Sequence, residues 1–411
     1  MFIKDDNGIS DARLRGFLEE LYGGKSVKKV LILPPDFTRM YSGAGKITAI
    51  LNEMFLSRGA RVDIMPALGT HAPMTAEESM KFFGPGVDPG KLIVHNWRTD
   101  VVKLGEVPAD FVSSVSEGLV NDRIDVEVNR LIADPSYDLI VSVGQVVPHE
   151  VVGMANYSKN IFVGCGGSSM INSSHMLGAF YGLERIMGRD FSPVRKVFDY
   201  AQEHFLAAFP ISYIMTVTTS DGGETVLRGI YSGEGRRSFE QAVGHSQDVN
   251  LVHMKEPIKK AVVYLDPSEF KSTWLGNKAV YRTRMAIADG GSLIVLAPGV
   301  RRFGEDDEND RLIRKYGYVG RKRILELVAE NEDLRANLSV AAHLIHGSSD
   351  GRFSITYCTR YLTEREVRGA GFDYMPYAEA ARLYDPETLT DGEHDGFYYI
   401  SNPALGLWTV G

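Results

Sequence analysis

The amino-acid sequence predicts an α/β fold with two domains, each built on a mainly parallel sheet with flanking helices. The chain has 411 residues, which exceeds the usual domain length of roughly 100–200 residues. Short apolar runs alternate with longer segments of helical periodicity, a pattern typical of parallel strands joined by crossover helices. The alternation restarts near residues 250–258, where we place the hinge between the two domains.

The N-terminal domain, residues 1–252, opens on an apolar run at 27–35 that ends in two prolines, as a buried strand does. Residues 45–58 follow with apolar side chains at helical spacing, which predicts a helix on one face of the sheet. Further strands are predicted at 61–67, 91–96, 138–143 and 211–219, and further helices at 172–187, 193–209 and 236–249.

The C-terminal domain, residues 258–392, repeats the same cycle. Strands are predicted at 259–265, 292–297 and 353–357, and helices at 275–288, 321–328 and 338–345. The highly charged stretch 304–311 is typical of a solvated loop or the start of a helix. The sequence contains neither a repeat nor a low-complexity block that would indicate another architecture.

Composition narrows the class of protein. The chain has 45 basic and 53 acidic residues and a net charge of −8, which weighs against a nucleic-acid partner. Cys165 and Cys358 are too few for a disulfide framework or a cysteine-rich zinc site. The N-terminus carries acidic residues where a signal peptide has an apolar core, and no apolar stretch approaches a spanning length. We therefore expect a cytoplasmic protein without a membrane partner.

Polar side chains follow the first two predicted strands directly. Asp36, Thr38 and Arg39 come after the first strand, where a guanidinium can bind a carboxylate or a phosphate. The alternative is a surface turn in which the arginine forms a salt bridge. His71 follows the second strand and is a candidate general base, unless it only caps the helix that Thr75 opens.

The strand at 138–143 is followed by His149-Glu150 and, ten residues after the histidine, by Lys159. The spacing excludes a zinc-protease helix, because Gly153 stands where that motif needs its second histidine. Another histidine at the carboxyl end of a strand is a second candidate for acid–base chemistry, since this edge of an open α/β sheet lines the ligand crevice.

A glycine-rich turn comes next, formed by Gly164, Gly166, Gly167, Ser168 and Ser169. Such a turn can offer backbone N–H groups to a phosphate, although it matches neither the Walker A nor the dinucleotide pattern. We predict that Asn172 or Ser173 caps the following helix. His175 would then lie in the first turn, where the helix dipole keeps the imidazole neutral and able to bind a metal.

Together these motifs resemble the lactate racemase family. The resemblance rests on their order, Asp36-x-Thr38-Arg39, Gly69-Thr-His71, Pro148-His149-Glu150-x-x-Gly153, Lys159 and His175, and it continues to Leu275-Gly-Asn-Lys278 and Gly290-Gly291. The sixteen-residue interval between Lys159 and His175 is its most specific part. The similarity spans roughly residues 30–300 and touches both predicted domains.

The resemblance implies a racemase or epimerase that inverts C2 of a 2-hydroxy acid by hydride transfer to and from a nickel-pincer nucleotide. It gives Lys159 the role of cofactor tether and His175 that of nickel ligand. His71 and His149 match the two general bases. Substrate contacts fall to Arg39 and Lys278 as carboxylate binders and to Asp36, Trp274 and Leu275.

The same resemblance implies an active-site cleft between the domains, with the cofactor mainly on the first. The glycine turn would receive the nucleotide phosphate, and residues 393–411 would pack back on the first domain. The expected partners are a small 2-hydroxy acid and the enzymes that make the cofactor. The sequence leaves the oligomeric state open.

The chain departs from the family at one informative place. Trp274 and Leu275 stand where the lactate enzymes carry a Tyr-Gln pair. We therefore expect a substrate other than lactate, with a larger or more apolar 2-hydroxy acid favoured. The alternatives are that these two side chains turn away, or that a sugar acid binds if Gln145, Asn156 or Tyr157 faces the substrate.

Two other classes of protein remain as rival interpretations. A nicotinamide dehydrogenase would share the hydride chemistry, but the dinucleotide fingerprint is missing from the sequence. A non-catalytic nickel-binding or nucleotide-binding protein would have no need for both base histidines, His71 and His149.

Overall fold

The structure is a computed structural model that describes residues 1–221 and 224–410. It divides into two compact units. The first comprises Met1–Tyr181 and Ile186–Asn250, and the second comprises Gly182–Arg185 and Leu251–Gly411. The main division thus lies at the start of the 250–258 segment in which the sequence places the hinge. None of the helices within the described ranges has the length and apolar composition needed to span a membrane.

The first unit contains a six-stranded sheet in the order β1-β10-β9-β6-β2-β3. Its strands and two small ribbons are β1 (Phe2–Lys4), β2 (Lys29–Leu33), β3 (Arg61–Ile64), β4 (Val101–Val107), β5 (Ile124–Asn129), β6 (Leu139–Gln145), β7 (Pro148–His149), β8 (Gly153–Met154), β9 (Ile211–Asp221) and β10 (Glu224–Gly233). The four strands β3, β2, β6 and β9 are parallel neighbours. The remaining pairs, β9 with β10 and β10 with β1, are antiparallel.

Helices cover both faces of this sheet. They are α1 (Asp11–Tyr22), α2 (Ala44–Ser57), α3 (Ala76–Phe83), α4 (Ala109–Val115), α5 (Ser168–Tyr181), α7 (Pro193–Ala201) and α8 (Arg236–Asn250), whereas α6 (Leu183–Ile186) falls mostly in the second unit. Successive side chains of a strand point to opposite faces. Accordingly, Leu31 and Leu33 of β2 belong to one apolar cluster, while Val30 and Ile32 belong to another. A strand that is buried on both faces has a continuous run of apolar residues. The sequence therefore predicts β2 correctly.

One predicted strand of this unit is wrong. Residues 91–96 form no strand, and only Leu92 makes an isolated bridge to Ile64. The apolar run at this point is too short to compete with the long parallel strands for a place in the sheet. A helix that we did not predict, α1, begins after Ser10, whose side chain accepts a hydrogen bond from the Arg13 amide.

The second unit has its own six-stranded sheet in the order β15-β14-β13-β12-β17-β16. The strands of this sheet are β12 (Ile258–Tyr264), β13 (Ile287–Ala297), β14 (Ser354–Thr359), β15 (Asp373–Pro376), β16 (Gly392–His394) and β17 (Phe397–Ile400). Two further strands, β11 (Leu251–Met254) and β18 (Leu407–Val410), form a separate two-stranded sheet. All neighbours in the large sheet are parallel except β16 and β17. The α/β fold class with mainly parallel sheets is therefore confirmed.

The end of the chain differs from its expected position. Strand β17 pairs with β12, and β18 pairs with β11, so both lie within the second unit. We expected residues 393–411 to pack back on the first domain, whereas the described part of this segment completes the sheets of the second unit. Residue 411 lies outside the described residues. The hydrogen-bonding edge of β12 accounts for this placement, because an unpaired edge offers a row of backbone partners.

The helices of the second unit are α9 (Thr273–Gly276), α10 (Lys278–Thr283), α11 (Asp307–Tyr316), α12 (Arg321–Glu330), α13 (Glu332–Arg335), α14 (Leu338–His346), α15 (Glu364–Gly369) and α16 (Tyr377–Leu383). The single helix predicted at 275–288 is in fact the two short helices α9 and α10, followed by the start of β13. The charged stretch 304–311 contains the start of α11, where the Asp306 side chain accepts a hydrogen bond from the Asn309 amide.

Candidate functional site

Asp36 links the first two polar loops of the first unit. It caps a 3₁₀ turn at Phe37–Ser42, just after β2. Its Oδ1 accepts hydrogen bonds from the amide nitrogen of Thr38 at 3.0 Å and from the Thr38 hydroxyl at 2.6 Å. Its Oδ2 lies 2.6 Å from Nδ1 of His71. The motif that follows β2 and the histidine that follows β3 are thus one hydrogen-bonded unit.

The Asp36 carboxyl is only 4% exposed, and burial alone would raise its pKa. The charge of His71, the hydrogen bonds from His71 and Thr38, and the charge of Arg39 outweigh burial and lower the pKa below its ordinary value. The group is therefore a carboxylate at neutral pH, and it can only accept a proton from Nδ1. This contact makes Nε2 the basic nitrogen of the His71 ring.

Gly69 shapes the loop that presents His71. Its φ of 57° lies in the left-handed region, which glycine adopts without the steric cost that other residues meet. Its amide donates a hydrogen bond of 2.9 Å to the carbonyl of Gly164. The histidine loop is thereby tied to the glycine-rich turn, so Gly69 and Gly164, which are 95 positions apart in the sequence, are adjacent.

His149 occupies a different electrostatic setting. It lies in β7, directly after β6, and is 5% exposed. Its Nδ1 accepts a hydrogen bond of 3.2 Å from the Val151 amide, and Oε2 of Glu150 lies 3.5 Å from the same nitrogen. Burial lowers the pKa of His149 well below its ordinary value, although the charge of Glu150 opposes it. The imidazole is neutral, and its proton is on Nε2.

Lys159 lies between these histidine loops and α5. Burial, with the charge of Arg39, lowers the pKa of its ammonium group to about 8, against the opposing charges of Glu150 and Asp36. The next residue, Asn160, donates hydrogen bonds to the carbonyl of Leu33 at 3.1 Å and to the Ser142 hydroxyl at 2.9 Å. The lysine is therefore anchored beside the carboxyl end of β2 and against β6.

His175 lies on α5, but not where the sequence placed it. The helix begins at Ser168 rather than at the predicted cap Asn172 or Ser173, so His175 is beyond the first turn. Burial, rather than the helix dipole, lowers the pKa of its imidazole to about 4, partly opposed by a hydrogen bond to Ile171. Its Nδ1 donates that bond to the Ile171 carbonyl over 2.6 Å. The lone pair is consequently on Nε2, as a metal ligand requires.

These side chains influence one another electrostatically. The charges of Lys159, Arg39 and His175 all lower the pKa of His149. The charge of Lys159 and that of His71 lower the pKa of His175. Coulomb interactions of this kind fall off with distance and screening. The structure thus brings the six first-unit candidates together at one edge of the sheet: Asp36, Arg39, His71, His149, Lys159 and His175.

The glycine-rich turn has a structural explanation that we did not predict. A Cβ on Gly166 would lie 1.8 Å from the Phe162 carbonyl oxygen, and one on Gly167 would lie 2.2 Å from Oε2 of Glu127. The same Oε2 accepts a hydrogen bond of 3.2 Å from the Ser169 amide. A carboxylate thus occupies the helix N-terminus where we expected a phosphate. The expected contacts of Gly164, Gly166, Gly167, Ser168 and Ser169 with the cofactor stay a prediction.

The remaining candidates lie in the second unit. The ammonium group of Lys278 is buried and forms an ion pair of 2.8 Å with Oε1 of Glu269. The Leu275 side chain is also buried. Trp274 is partly exposed, and its ring stacks on that of His343 with centroids 4.3 Å apart. The tryptophan therefore has a fixed orientation, whereas the leucine belongs to the core of its unit.

Two further polar residues near Lys159, Arg195 and Asn156, are buried, and the sequence singled out only Asn156, as a possible contact of a sugar acid. Arg195 is fully buried on α7, and nothing in the sequence distinguishes it from an exposed helical arginine. The side-chain amide of Asn156 is 5% exposed, and neither its nitrogen nor its oxygen has a hydrogen-bond partner within the described residues. An orphaned buried amide is costly, and a ligand with polar groups would satisfy it.

Within residues 1–221 and 224–410, no three His, Cys, Asp or Glu side chains are grouped so that they could share a metal ion. His175 is thus a single potential ligand, with the lone pair of its ring on Nε2. Cys165 does not add to it as a thiolate, because burial raises the pKa of that thiol.

Known proteins resemble the chain in sequence. Residues 17–185 match the lactate racemase N-terminal domain. Lactate racemase of Lactiplantibacillus plantarum is 30% identical over 175 residues, which are 41% of this chain and 36% of that protein. Lactate racemase of Thermoanaerobacterium thermosaccharolyticum is 23% identical over 295 residues, 68% of this chain and 62% of that protein. The matches span less than two thirds of the length of either relative.

Solved structures share the fold. A crystal structure of a Thermotoga maritima protein superposes with a TM-score of 0.86 at 24% identity and covers 100% of both chains. The lactate racemase apoprotein of Thermoanaerobacterium thermosaccharolyticum superposes with a TM-score of 0.68 at 17% identity, over 99% of this chain and 90% of that chain. Residues 17–185 thus resemble the lactate racemase N-terminal domain, and the chain shares the fold of the lactate racemase apoprotein.

Proposed function

We propose that the chain is a racemase or epimerase that inverts C2 of a 2-hydroxy acid. One observation carries the proposal: two histidines with opposite ring tautomers, His71 and His149, lie in one electrostatically coupled cluster with Lys159 and His175. The relatives named lactate racemase support the same reaction class.

Inversion at C2 needs the hydroxyl proton to be taken up and then returned to the same oxygen. The Asp36 contact keeps the proton of His71 on Nδ1, so Nε2 acts as the base, and the proton that it accepts later returns to the oxygen. The Val151 amide occupies Nδ1 of His149, so the Nε2–H of this neutral ring donates a hydrogen bond that holds the oxygen in place. Arg39, whose charge acts on both His149 and Lys159, binds the substrate carboxylate through its guanidinium fork.

The cofactor in this proposal is a nickel-pincer nucleotide, which supplies a reversible acceptor for the C2 hydrogen as hydride. Lys159 would hold its acyl arm, because a pKa of about 8 leaves a reactive neutral amine near physiological pH. His175 would provide the nickel ligand through Nε2, a nitrogen donor suited to Ni(II). The unpartnered Asn156 amide would bind a polar group of the nucleotide.

The substrate is proposed to be a 2-hydroxy acid other than lactate. Trp274 is the side chain on which this depends, because its ring is partly exposed and held against His343. Leu275 is buried and contributes through packing. Lys278 stays a predicted carboxylate binder, although in the structure its ammonium group is paired with Glu269, so substrate binding would have to compete with that pair.

The experiment is a chiral assay of the full chain co-produced with the cofactor-making enzymes. Single enantiomers of 2-hydroxy acids are incubated with the nickel-loaded protein, and the opposite enantiomer is followed by chiral chromatography. We expect inversion of at least one acid, and a loss of about 10²–10⁴-fold in turnover for His71→Ala and for His149→Ala. Loaded protein that inverts none of the acids, or base variants with normal turnover, would contradict the proposal.

A further inference from the structure

We propose that Arg195 is a positioning residue that locks the loop Met154–Ser158 and thereby fixes the direction of Lys159. The inference rests on the proposed function for the role of Lys159. It rests on this structure alone for the role of Arg195.

The contacts of Arg195 converge on this loop. The residue lies on α7 and is 0% exposed. Its Nη1 donates a hydrogen bond of 2.8 Å to the Ser158 hydroxyl, and its Nη2 donates bonds of 2.7 Å to the Met154 carbonyl and 3.2 Å to the Asn156 carbonyl. One guanidinium thus binds three acceptors within five residues, all of them immediately before Lys159.

The loop needs such a restraint because its backbone is strained. Asn156 has a φ of 71° and Tyr157 a φ of 57°. Both lie in the left-handed region, which is uncommon for residues with a side chain and a clear outlier for an aromatic one. Strain of this kind persists only where the surroundings over-determine the conformation. Here the Tyr157 ring stacks on Phe239 with centroids 5.3 Å apart, while Arg195 holds the carbonyls of Met154 and Asn156.

The burial of Arg195 is difficult to explain by stability alone. An apolar side chain of similar volume would fit the apolar face of α7 without the cost of desolvating a charge. Burial lowers the pKa of the guanidinium to about 10, although Asp199 and Asp190 oppose it, so the cost is considerable. The side chain also lies over the Phe239 ring at 4.4 Å. What the charge adds, beyond packing, is the set of bonds to the loop.

Arg195 also acts on the lysine directly. Burial is the largest influence on the Lys159 ammonium, followed by the charges of Arg39, Glu150, Asp36 and Arg195. The positive charge of Arg195 lowers the lysine pKa. The loop that it holds keeps the lysine in its desolvated position, which has the same effect. Loss of Arg195 should therefore raise the pKa of Lys159 through both routes.

The test uses the full chain produced without the cofactor-making enzymes. N-hydroxysuccinimidyl acetate labels lysines between pH 6 and 10, and peptide mass spectrometry compares Lys159 with the exposed Lys91 as an internal standard. Hydrogen exchange of segment 154–160 is measured in parallel. In the unaltered chain, we expect labelling of Lys159 with a midpoint near pH 8. In Arg195→Met, we expect a midpoint at least one pH unit higher and at least tenfold faster exchange in the segment.

Arg195→Lys keeps a charge but not the three-way fork, and Ser158→Ala removes one acceptor. In both variants, hydrogen exchange of segment 154–160 should be faster than in the unaltered chain, but less so than in Arg195→Met. Arg282→Met serves as the matched control, because Arg282 is equally buried but lies in the second unit. It should lower stability without altering Lys159 labelling.

A folded Arg195→Met protein with unchanged labelling and exchange would overturn the proposal. If Arg195→Met does not fold, unchanged exchange in both Arg195→Lys and Ser158→Ala would overturn it instead. The proposed function fails separately: a loaded, unaltered chain that inverts no 2-hydroxy acid would refute that function and leave these measurements on the cofactor-free chain unaffected.

Discussion

His71 and Asp36 form a dyad in which Nδ1 lies 2.6 Å from Oδ2. The carboxylate is in turn held by two hydrogen bonds from Thr38. Catalytic triads use the same arrangement. A fixed carboxylate orients one nitrogen of an imidazole, and the other nitrogen exchanges the proton. The dyad therefore supports His71 as the residue that exchanges the proton in the proposed function.

Asp36→Asn should reduce turnover by about 10²–10⁴-fold, because an amide can donate to Nδ1 and so favour the wrong tautomer. Nickel content should stay normal, since the change does not alter His175. Initial rates of inversion and metal analysis on the same preparation check this. Thr38→Val is the control: it removes the hydroxyl bond and keeps the amide bond, so we expect a loss of less than about tenfold. Normal turnover in Asp36→Asn would show that the dyad plays no part in the reaction.

Lys159→Ala should abolish covalent attachment of the cofactor. Mass spectrometry of denatured protein, co-produced with the cofactor-making enzymes, should show an adduct on the unaltered chain and none on the variant. An adduct of equal abundance on Lys159→Ala would place the attachment elsewhere.

His175→Ala should separate metal binding from attachment. The Nε2 atom of His175 is the expected nickel ligand, so the variant should lose nickel while the adduct on Lys159 remains. Nickel content by elemental analysis and adduct mass are compared on one sample. Full activity from cofactor-free protein plus simple Ni²⁺ would contradict the assembly that both variants assume.

Stability of the cofactor-free chain should fall as the pH drops below about 6.5, the ordinary pKa of histidine. The folded pKa of His149 is lowered, so the unfolded chain takes up a proton that the folded chain refuses. The unfolding free energy therefore decreases toward lower pH, by at most about 1.4 kcal/mol per pH unit for this group. Denaturant titrations between pH 5 and 8 measure the slope.

His149→Gln should reduce that slope, because an amide does not titrate in this range, while His175, whose pKa is also lowered, still contributes to it. His204→Gln is the matched control, since His204 is exposed in the same unit. An unchanged slope in His149→Gln would show that His149 gains its proton equally in the folded and unfolded chains.

Much of this arrangement was accessible from the sequence because parallel strands end at one edge of a sheet. Asp36 and His149 follow β2 and β6, which are adjacent and parallel, so their proximity follows from the strand pattern. The tautomers were not accessible. They depend on single contacts at 2.6 and 3.2 Å, which no periodicity encodes.

Long-range packing explains what the sequence missed. The glycine-rich turn looks like a phosphate site until Glu127, some forty residues earlier, is placed against it. Arg195 is one polar position on a helix, and only the tertiary fold shows that three loop acceptors surround its guanidinium. In both cases, the role of a local segment depends on a contact with a residue that is distant in the sequence.

Substrate choice provides the last prediction. Trp274 is held by its stack on His343, and His343 in turn hydrogen-bonds through Nε2 to the Tyr318 hydroxyl at 2.8 Å. The indole is thus a rigid apolar surface where a family phenol would offer a hydroxyl. A pocket without the hydroxyl binds less well a ligand that needs this hydrogen bond, while the added apolar area favours binding of a larger ligand. We expect a larger 2-hydroxy acid, not lactate, to give the highest kcat/KM.

Trp274→Tyr should move the ratio of kcat/KM toward lactate by about tenfold, within the range of a small change in an apolar pocket. Leu275→Gln should leave the ratio unchanged and lower the melting temperature, because Leu275 is 8% exposed and a buried amide without partners costs roughly 1–3 kcal/mol. Chiral assays on lactate and on the preferred acid, with thermal melts of each variant, separate the two effects. Lactate as the best substrate of the unaltered chain would refute the specificity proposal. An unchanged ratio in Trp274→Tyr would instead remove this tryptophan from the determinants of specificity.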